Sequence, residues 1–206
     1  MAASLPRLLI VSRLIEPLSA AGDLLARLED ELPEARSETL LQGAFVMAVA
    51  AVEVGLVDSL KYYLRSFPEK LSKEDWSISA DALPIDTAEL LTVAGQRHAI
   101  AAAYKSFPAF VAKYAATLSI DGESSFSIET VTIQEIKATR NLLLHNGPIA
   151  NDMYIEQAGA MRRVTSRGAK VRVDLPYVVE SLHTLERFVH GVIASVADKY
   201  SSYTKI

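Results

Sequence analysis

The sequence predicts a mainly all-α fold, a helical bundle with a small β-hairpin inserted before the last helix. Apolar residues recur at helical spacing through much of residues 7–118, and again over 133–145 and 176–200. Residues 163–173 instead alternate around a Gly turn, which is typical of a hairpin. With 206 residues, half of them apolar, the chain is long enough for one domain with a buried core.

The helical pattern divides the chain into segments in a definite order. Helices are predicted over 7–32 with a kink at Pro17, 37–66, 86–118 with a break near Pro108, 133–145 and 176–200. Loops are predicted over 69–84 and 121–127, whereas 153–160 is ambiguous. We interpret residues 1–206 as one domain: an N-terminal helical extension (1–36), a core bundle (37–200) and a tail (201–206).

Composition limits the partners that the protein can have. The net charge of −4 predicts no general attraction to nucleic acid, so any such site has to be local. The absence of Cys excludes disulfides and Cys-based metal or nucleophile chemistry, and it fits a reducing compartment. Arg13 and Glu16 interrupt the N-terminal apolar run, and the run 43–57 is short and carries Glu53. We therefore expect a cytoplasmic protein without a membrane partner.

The helix over 133–145 has a signal at each end. Thr132 and Glu135 have the spacing of a capping box at its start. Gly147 after Asn146 predicts a left-handed residue at its end, and Pro148 prevents continuation. His145 thus falls in the last turn.

Apolar residues lie on two opposite sides of this helix. One stripe holds Ile133, Ile136, Leu143 and Leu144, with Arg140 in its middle, and the other side holds Ala138 and Leu142. We expect burial on both sides, the first against the bundle and the second against another partner. A second copy of the chain would supply that partner.

Arg140 requires an anionic partner because an unpaired buried charge is costly. Glu53 is equally out of place in the apolar stripe of the 37–66 helix, so the two side chains are predicted to pair. A buried ion pair that only fixes the register of two helices is an equally simple interpretation.

Asn141 and His145 share a face, whereas Arg140 lies roughly 140° from His145 on an ideal helix. Arg140 and His145 would converge more easily across two copies of the helix. A His near a helix C-terminus suits a general acid and base near neutral pH. The alternative is a capping His without chemistry.

The motif R-N-x-x-x-H, residues 140–145, resembles that of the HEPN superfamily. Its extension "HNGPIANDMYI" and the upstream segment "LQGAFVMAVAAVEVGLVDSLKYYL" are similar to the RiboL-PSP-type HEPN branch. The resemblance spans roughly residues 37–200. It implies a helical bundle that forms a homodimer through the motif helix.

The resemblance also implies a function. It assigns catalytic roles to Arg140, Asn141 and His145 and a supporting role to Glu53, in an endoribonuclease that needs no metal or cofactor. Such proteins cleave single-stranded RNA as toxins or defence effectors. Gly147 replaces the Tyr that related toxins present to nucleotidyltransferase antitoxins, so that partner is not expected. The alternatives are a non-catalytic HEPN module that binds RNA, a nucleotide or a protein, and a purely structural dimer.

A local excess of basic residues supplies the predicted RNA contacts. Residues 136–172 hold seven cations against two acids, a balance of +5. Six of them, besides Arg140, are predicted to contact RNA: Lys137, Arg162, Arg163, Arg167, Lys170 and Arg172. A solvated basic surface explains them as well. His183 and His190 are two helical turns apart, too far to share a metal, and are predicted to have packing or surface roles.

Overall fold

The computed structural model describes residues 9–32, 37–72, 87–120 and 129–204. Seven α-helices lie in these ranges: α1 (Val11–Glu31), α2 (Glu38–Ser66), α3 (Thr87–Ala103), α4 (Phe107–Leu118), α5 (Thr130–Asn146), α6 (Asp152–Ala158) and α7 (Leu175–Lys199). The mainly helical class is therefore confirmed, as are the helices predicted over 37–66 and 176–200. The loop predicted over 121–127, and most of the one over 69–84, lie outside the described residues.

Helix α2 is the central element of the bundle. Its first turn is capped by Ser37, whose Oγ accepts a hydrogen bond from the Leu40 N–H at 3.1 Å. α1, α3, α5 and α7 all pack against it. Within the part of the chain that the structure describes, it is the one helix long and apolar enough to cross a membrane, and 33% of that stretch is buried. The core helix of a globular bundle meets the same criteria.

The α1 helix packs on both α2 and α7. Its inner face carries Leu14, Leu18 and Leu25, which are fully buried. Pro17 lies inside the helix, as predicted, and its carbonyl oxygen comes very close to Gly55 of α2. A Cβ atom on residue 55 would lie 2.9 Å from that oxygen. Gly55 thus permits the close crossing of the two helices.

Helices α3 and α4 replace the single segment predicted over 86–118. The helix is interrupted at residues 104–106. Pro108 then lies in the first turn of α4, where its missing N–H costs no helical hydrogen bond. The Phe107 N–H at the start of α4 donates to Gln134 Oε1 at 2.6 Å. The same Gln134 donates to the Gln157 carbonyl oxygen at 2.7 Å, so one α5 side chain joins α4 and the end of α6.

Helix α5 lies between two hydrophobic clusters. Ile133 and Ile136 belong to the main core. On the other side, Ala138 and Leu142 pack with residues that follow α5 in the same chain, namely Ala150, Tyr154, Ala158 and Val171. Burial on both sides is confirmed for these four α5 residues, whereas Leu144 of the first stripe is 54% exposed. The inference that a second molecule covers Ala138 and Leu142 was wrong, because α6 and the segment after it cover them.

The predicted capping box at the start of α5 was wrong. The helix begins at Thr130, two residues before the predicted cap. Its N-cap residue is Glu129, whose side chain makes no capping hydrogen bond. Glu135 is buried and binds hydroxyl groups from elsewhere in the fold. Its partners are tertiary, and the local spacing of Thr132 and Glu135 cannot reveal them.

The predicted hairpin over 163–173 is not seen. Gly168 has a positive φ of 84° and makes the expected turn. The backbone after that turn pairs instead with residues 148–150: Ala150 N donates to Ala169 O at 2.9 Å and Val171 N to Pro148 O at 2.7 Å. One isolated antiparallel bridge, Ile149 to Lys170, results. The alternating pattern marked extended chain but could not name its partner.

We expect Gly55→Ala to lower the free energy of unfolding by about 1–3 kcal/mol, since the new methyl group meets a backbone oxygen that cannot rotate away. Urea unfolding followed by circular dichroism measures this. Gly22→Ala is the matched control, on the partner helix α1, because a Cβ there lies 3.8 Å from Val189 Cγ1, an ordinary van der Waals contact. Equal midpoints for the two variants would contradict the close crossing.

Candidate active site

The predicted ion pair between Glu53 and Arg140 of the same chain is confirmed. Arg140 Nη2 contacts Glu53 Oε2, and Lys137 Nζ lies 2.8 Å from Glu53 Oε1. The three side chains are only 13–18% exposed. We call them the Glu53 cluster. One carboxylate thus bridges two cations that stand one turn apart on α5.

Lys137 has a further partner at the end of α3. Its Nζ donates to the Ala103 carbonyl oxygen at 3.2 Å. Ala103 is the last residue of α3, where carbonyl groups lack partners within the helix and attract cations. The Glu53 cluster therefore joins α2, α3 and α5.

Burial lowers the pKa of Lys137 and of Arg140 below their ordinary values. The neighbouring Glu53 carboxylate acts in the opposite direction, because it stabilises the charged form of each cation. Arg140 stays protonated in any case. Its Nε–H is buried and has no acceptor among the described residues.

His145 and Asn141 lie at the end of α5 that points away from the core. His145 is exposed and Asn141 half-buried. Neither has a side-chain hydrogen bond or ion pair to any residue that the structure describes. His145 therefore makes no capping hydrogen bond. Its neighbour Asn146 donates from Nδ2 to the Ile149 carbonyl oxygen at 2.6 Å, which ties the segment after the helix to its last residue. Gly147 ends the helix with a φ of 62°, as the sequence predicts.

Four of the six predicted RNA-contact residues pair with a charged or aromatic side chain of the same chain. Lys137 belongs to the Glu53 cluster, and Arg163 stacks on Tyr177 with its Cζ 3.7 Å from the ring centroid. Arg167 pairs with Asp152 at 3.2 Å and Lys170 with Glu38 at 3.1 Å, both with half or more of the side chain exposed. Arg162 and Arg172 are exposed and have no acidic partner in the described ranges.

A buried carboxylate on the opposite side of α5 was missed at the sequence level. Glu135 Oε1 accepts hydrogen bonds from Thr139 Oγ1 at 2.6 Å and Tyr154 OH at 3.1 Å, and Oε2 accepts one from Tyr177 OH at 3.0 Å. Burial, and then the Glu135 charge, raise the pKa of Tyr177, so its hydroxyl remains a donor. We call this group the Glu135 cluster. It attaches α6 and α7 to α5.

Helices α2 and α5 run antiparallel along one surface. Arg140 meets Glu53 in the middle of α2, whereas Lys170, bridged to Ile149 just beyond α5, meets Glu38 at the start of α2. Apolar side chains that are more than half exposed lie on both helices: Leu40, Met47 and Val54, seven residues apart on α2, and Leu144 on α5. We call these four side chains the α2–α5 face. His145 follows Leu144 in the chain.

Of the other two histidines singled out in the sequence, one has a structural role. His183 Nε2 lies 2.7 Å from Glu29 Oε1 and so ties α7 to α1. His190 is exposed.

No family model, no curated protein and no solved structure matches this chain. The class that the fold defines is accordingly a mainly helical bundle.

We expect Tyr177→Phe to reduce the free energy of unfolding by about 1.5–3 kcal/mol, because a buried carboxylate oxygen loses its donor. The ring that supports Arg163 is kept. Chemical denaturation measures the effect. Tyr104→Phe is the control, since that ring is 87% exposed, and it should stay within about 0.5 kcal/mol of the parent. A Tyr177→Phe value as small as the control would refute the role of the Glu135 cluster.

Proposed function

We propose that the protein is a metal-independent endoribonuclease of the HEPN type that cleaves single-stranded RNA as a homodimer. The observation that carries this proposal is the pairing of two features on α5. Arg140 is held in place by Glu53, and an exposed His145 without an internal partner follows it at the helix end. The R-N-x-x-x-H resemblance places the same two residues in catalytic roles.

The chemistry needs a proton acceptor and donor together with an anion-stabilising group. The RNA 2′-oxygen attacks the adjacent phosphorus and gives up its proton, the P–O5′ bond breaks, and O5′ takes a proton. The products are a 2′,3′-cyclic phosphate and a 5′-hydroxyl. His145 transfers these protons, and Arg140 stabilises the charge on the phosphate oxygens. Asn141 orients the phosphate or the imidazole. Since the 2′-hydroxyl is the nucleophile, DNA is not a substrate.

The proposed dimer brings the catalytic groups of two copies together. Arg140 and His145 point about 140° apart on one helix, so a composite site draws each from a different copy. The α2–α5 face supports this arrangement because it exposes four large apolar side chains, of which Leu144 directly precedes His145. Small residues, Gly43 and Ala50, stand between the larger ones on α2 and permit two helices to approach closely.

RNA entry would use the cations that have no acidic partner among the described residues. Arg172 directly follows Val171, whose N–H donates to the Pro148 carbonyl oxygen just beyond α5, so it lies near the His145 end of the helix. Arg162 is exposed, and its Nη1 also donates to the Gly159 carbonyl oxygen at 3.0 Å. The resemblance adds the biological class, a cytoplasmic toxin or defence effector. Gly147 again argues against a nucleotidyltransferase antitoxin.

A non-catalytic module that binds RNA, a nucleotide or a partner protein is the second candidate. The observation that favours it is the internal use of Lys137, Arg163, Arg167 and Lys170, which leaves few cations for RNA. The exposed α2–α5 face would then receive a protein.

We expect the purified protein to be a homodimer at micromolar concentration, and Leu144→Glu to make it a monomer. The reason is that the new carboxylate would be buried without a partner at the centre of the interface. Light scattering after size exclusion measures the mass. Val131→Glu is the matched control, since Val131 is equally exposed on α5 but about 20 Å away along the helix. A monomeric parent would rule out the composite site.

We expect the protein to cleave single-stranded RNA in the presence of a chelator, and His145→Ala to reduce the rate by about 10²–10⁴-fold. Arg140→Lys should also be inactive, because a single ammonium group cannot replace a bidentate fork. Products with a 2′,3′-cyclic phosphate identify the reaction. Cleavage that depends on added divalent metal, or intact RNA throughout, would favour the binding module. Equal cleavage by parent and His145→Ala would indicate a contaminating nuclease.

A further inference from the structure

Lys137 occupies a confined position in the Glu53 cluster. Its side chain is 13% exposed, and its ammonium contacts Glu53 Oε1 at 2.8 Å and the Ala103 carbonyl oxygen at 3.2 Å. Two of its three N–H donors are thus engaged inside the bundle. The position is unsuited to direct contact with a phosphate outside.

The contact between Lys137 and Glu53 affects how the Glu53 carboxylate can bind Arg140. A carboxylate and a guanidinium usually prefer two parallel hydrogen bonds. Here Lys137 Nζ contacts Glu53 Oε1, and Arg140 Nη2 contacts Oε2. Arg140 Nε is buried without an acceptor in the described ranges, so it forms no second bond to the carboxylate. Nη1 also has no acceptor there and, unlike Nε, is not one of the buried unpartnered atoms.

We propose that Lys137 is a positioning residue that acts through Glu53. By binding one carboxylate oxygen, Lys137 keeps Arg140 in a single contact with Glu53 and leaves Nη1 for an RNA phosphate. This inference rests on the proposed function of Arg140. It also assigns the Glu53 cluster a role beyond helix register.

The charge of the cluster leads to the same conclusion. Two cations and one carboxylate have a net charge of +1 at neutral pH. Without Lys137 the net charge is zero, and Glu53 is free to bind Arg140 through both oxygens. The cluster would then have no net positive charge, and Arg140 would have fewer free donors for the substrate. Removing the Glu53 charge as well would release Arg140 again.

This difference gives a double-mutant test that does not require cleavage. Binding of a fluorescein-labelled single-stranded oligoribonucleotide is followed by anisotropy at fixed salt, in a His145→Ala background that prevents turnover. We expect Lys137→Met to weaken binding about 10- to 100-fold, the loss of a charge-assisted contact. In a Glu53→Gln background, Lys137→Met should change binding by less than about twofold, since its target is already neutral.

Lys61→Met is the matched control for lost charge. Lys61 also pairs with an acid, Asp58 at 2.9 Å, but on the solvent side of α2. Its replacement should alter RNA affinity only slightly. Thermal melts of each variant establish that it is folded. Lys137→Met keeps the Glu53–Arg140 ion pair, whereas the double variant leaves Arg140 without a carboxylate, so its melt is the decisive folding control.

The outcomes separate this inference from the proposed function. Loss of binding that persists in the Glu53→Gln background would overturn it, because Lys137 would then contact RNA itself. Unchanged binding by Lys137→Met in the original background would overturn it too. Failure of the His145→Ala parent to bind any RNA would overturn the proposed function and this inference with it.

Discussion

The Glu53 carboxylate fixes how α2 and α5 lie against each other. Each oxygen binds a different cation of α5, and one of these cations also binds the end of α3. Sliding α5 by one turn, about 5.4 Å, would break both contacts and leave a buried charge unpaired. The register that results leaves Leu144 and His145 exposed at the C-terminal end of α5. The candidate site is therefore a consequence of this one interaction.

The opposite side of α5 also holds a buried carboxylate, and this one is stabilised differently. Glu135 has no ion pair among the described residues and is stabilised by three hydroxyl donors instead. Neutral donors leave the negative charge in place, whereas the Glu53 cluster has a positive surplus. A positive surplus therefore lies on the Glu53 side of α5. The Glu135 side is left to hold α6 and α7.

The sequence predicts the secondary-structure elements more accurately than the tertiary contacts that they make. The pairing of Arg140 with Glu53 could be predicted because each is a lone charge in an apolar stripe. A buried charge of this kind has few possible partners. The partners of Glu135 could not be predicted, since its tyrosine donors are 19 and 42 residues away and the local spacing imitates a cap. The same holds for residues 163–173, where alternation predicts extended backbone but the pairing segment is 148–150. Helical periodicity indicates a buried side of α5 without saying which chain covers it.

The contacts of α1 have a consequence for the order in which the chain folds. Glu29 of α1 meets His183 of α7 across 154 positions of sequence. During synthesis at about 5–20 residues per second, α1 waits roughly 8–30 s for that partner. Until α7 emerges, the bundle has an open side and Phe45, Phe107 and Phe188 cannot form their shared core. The fold, and any activity that depends on it, therefore forms only after the last helix has been synthesised.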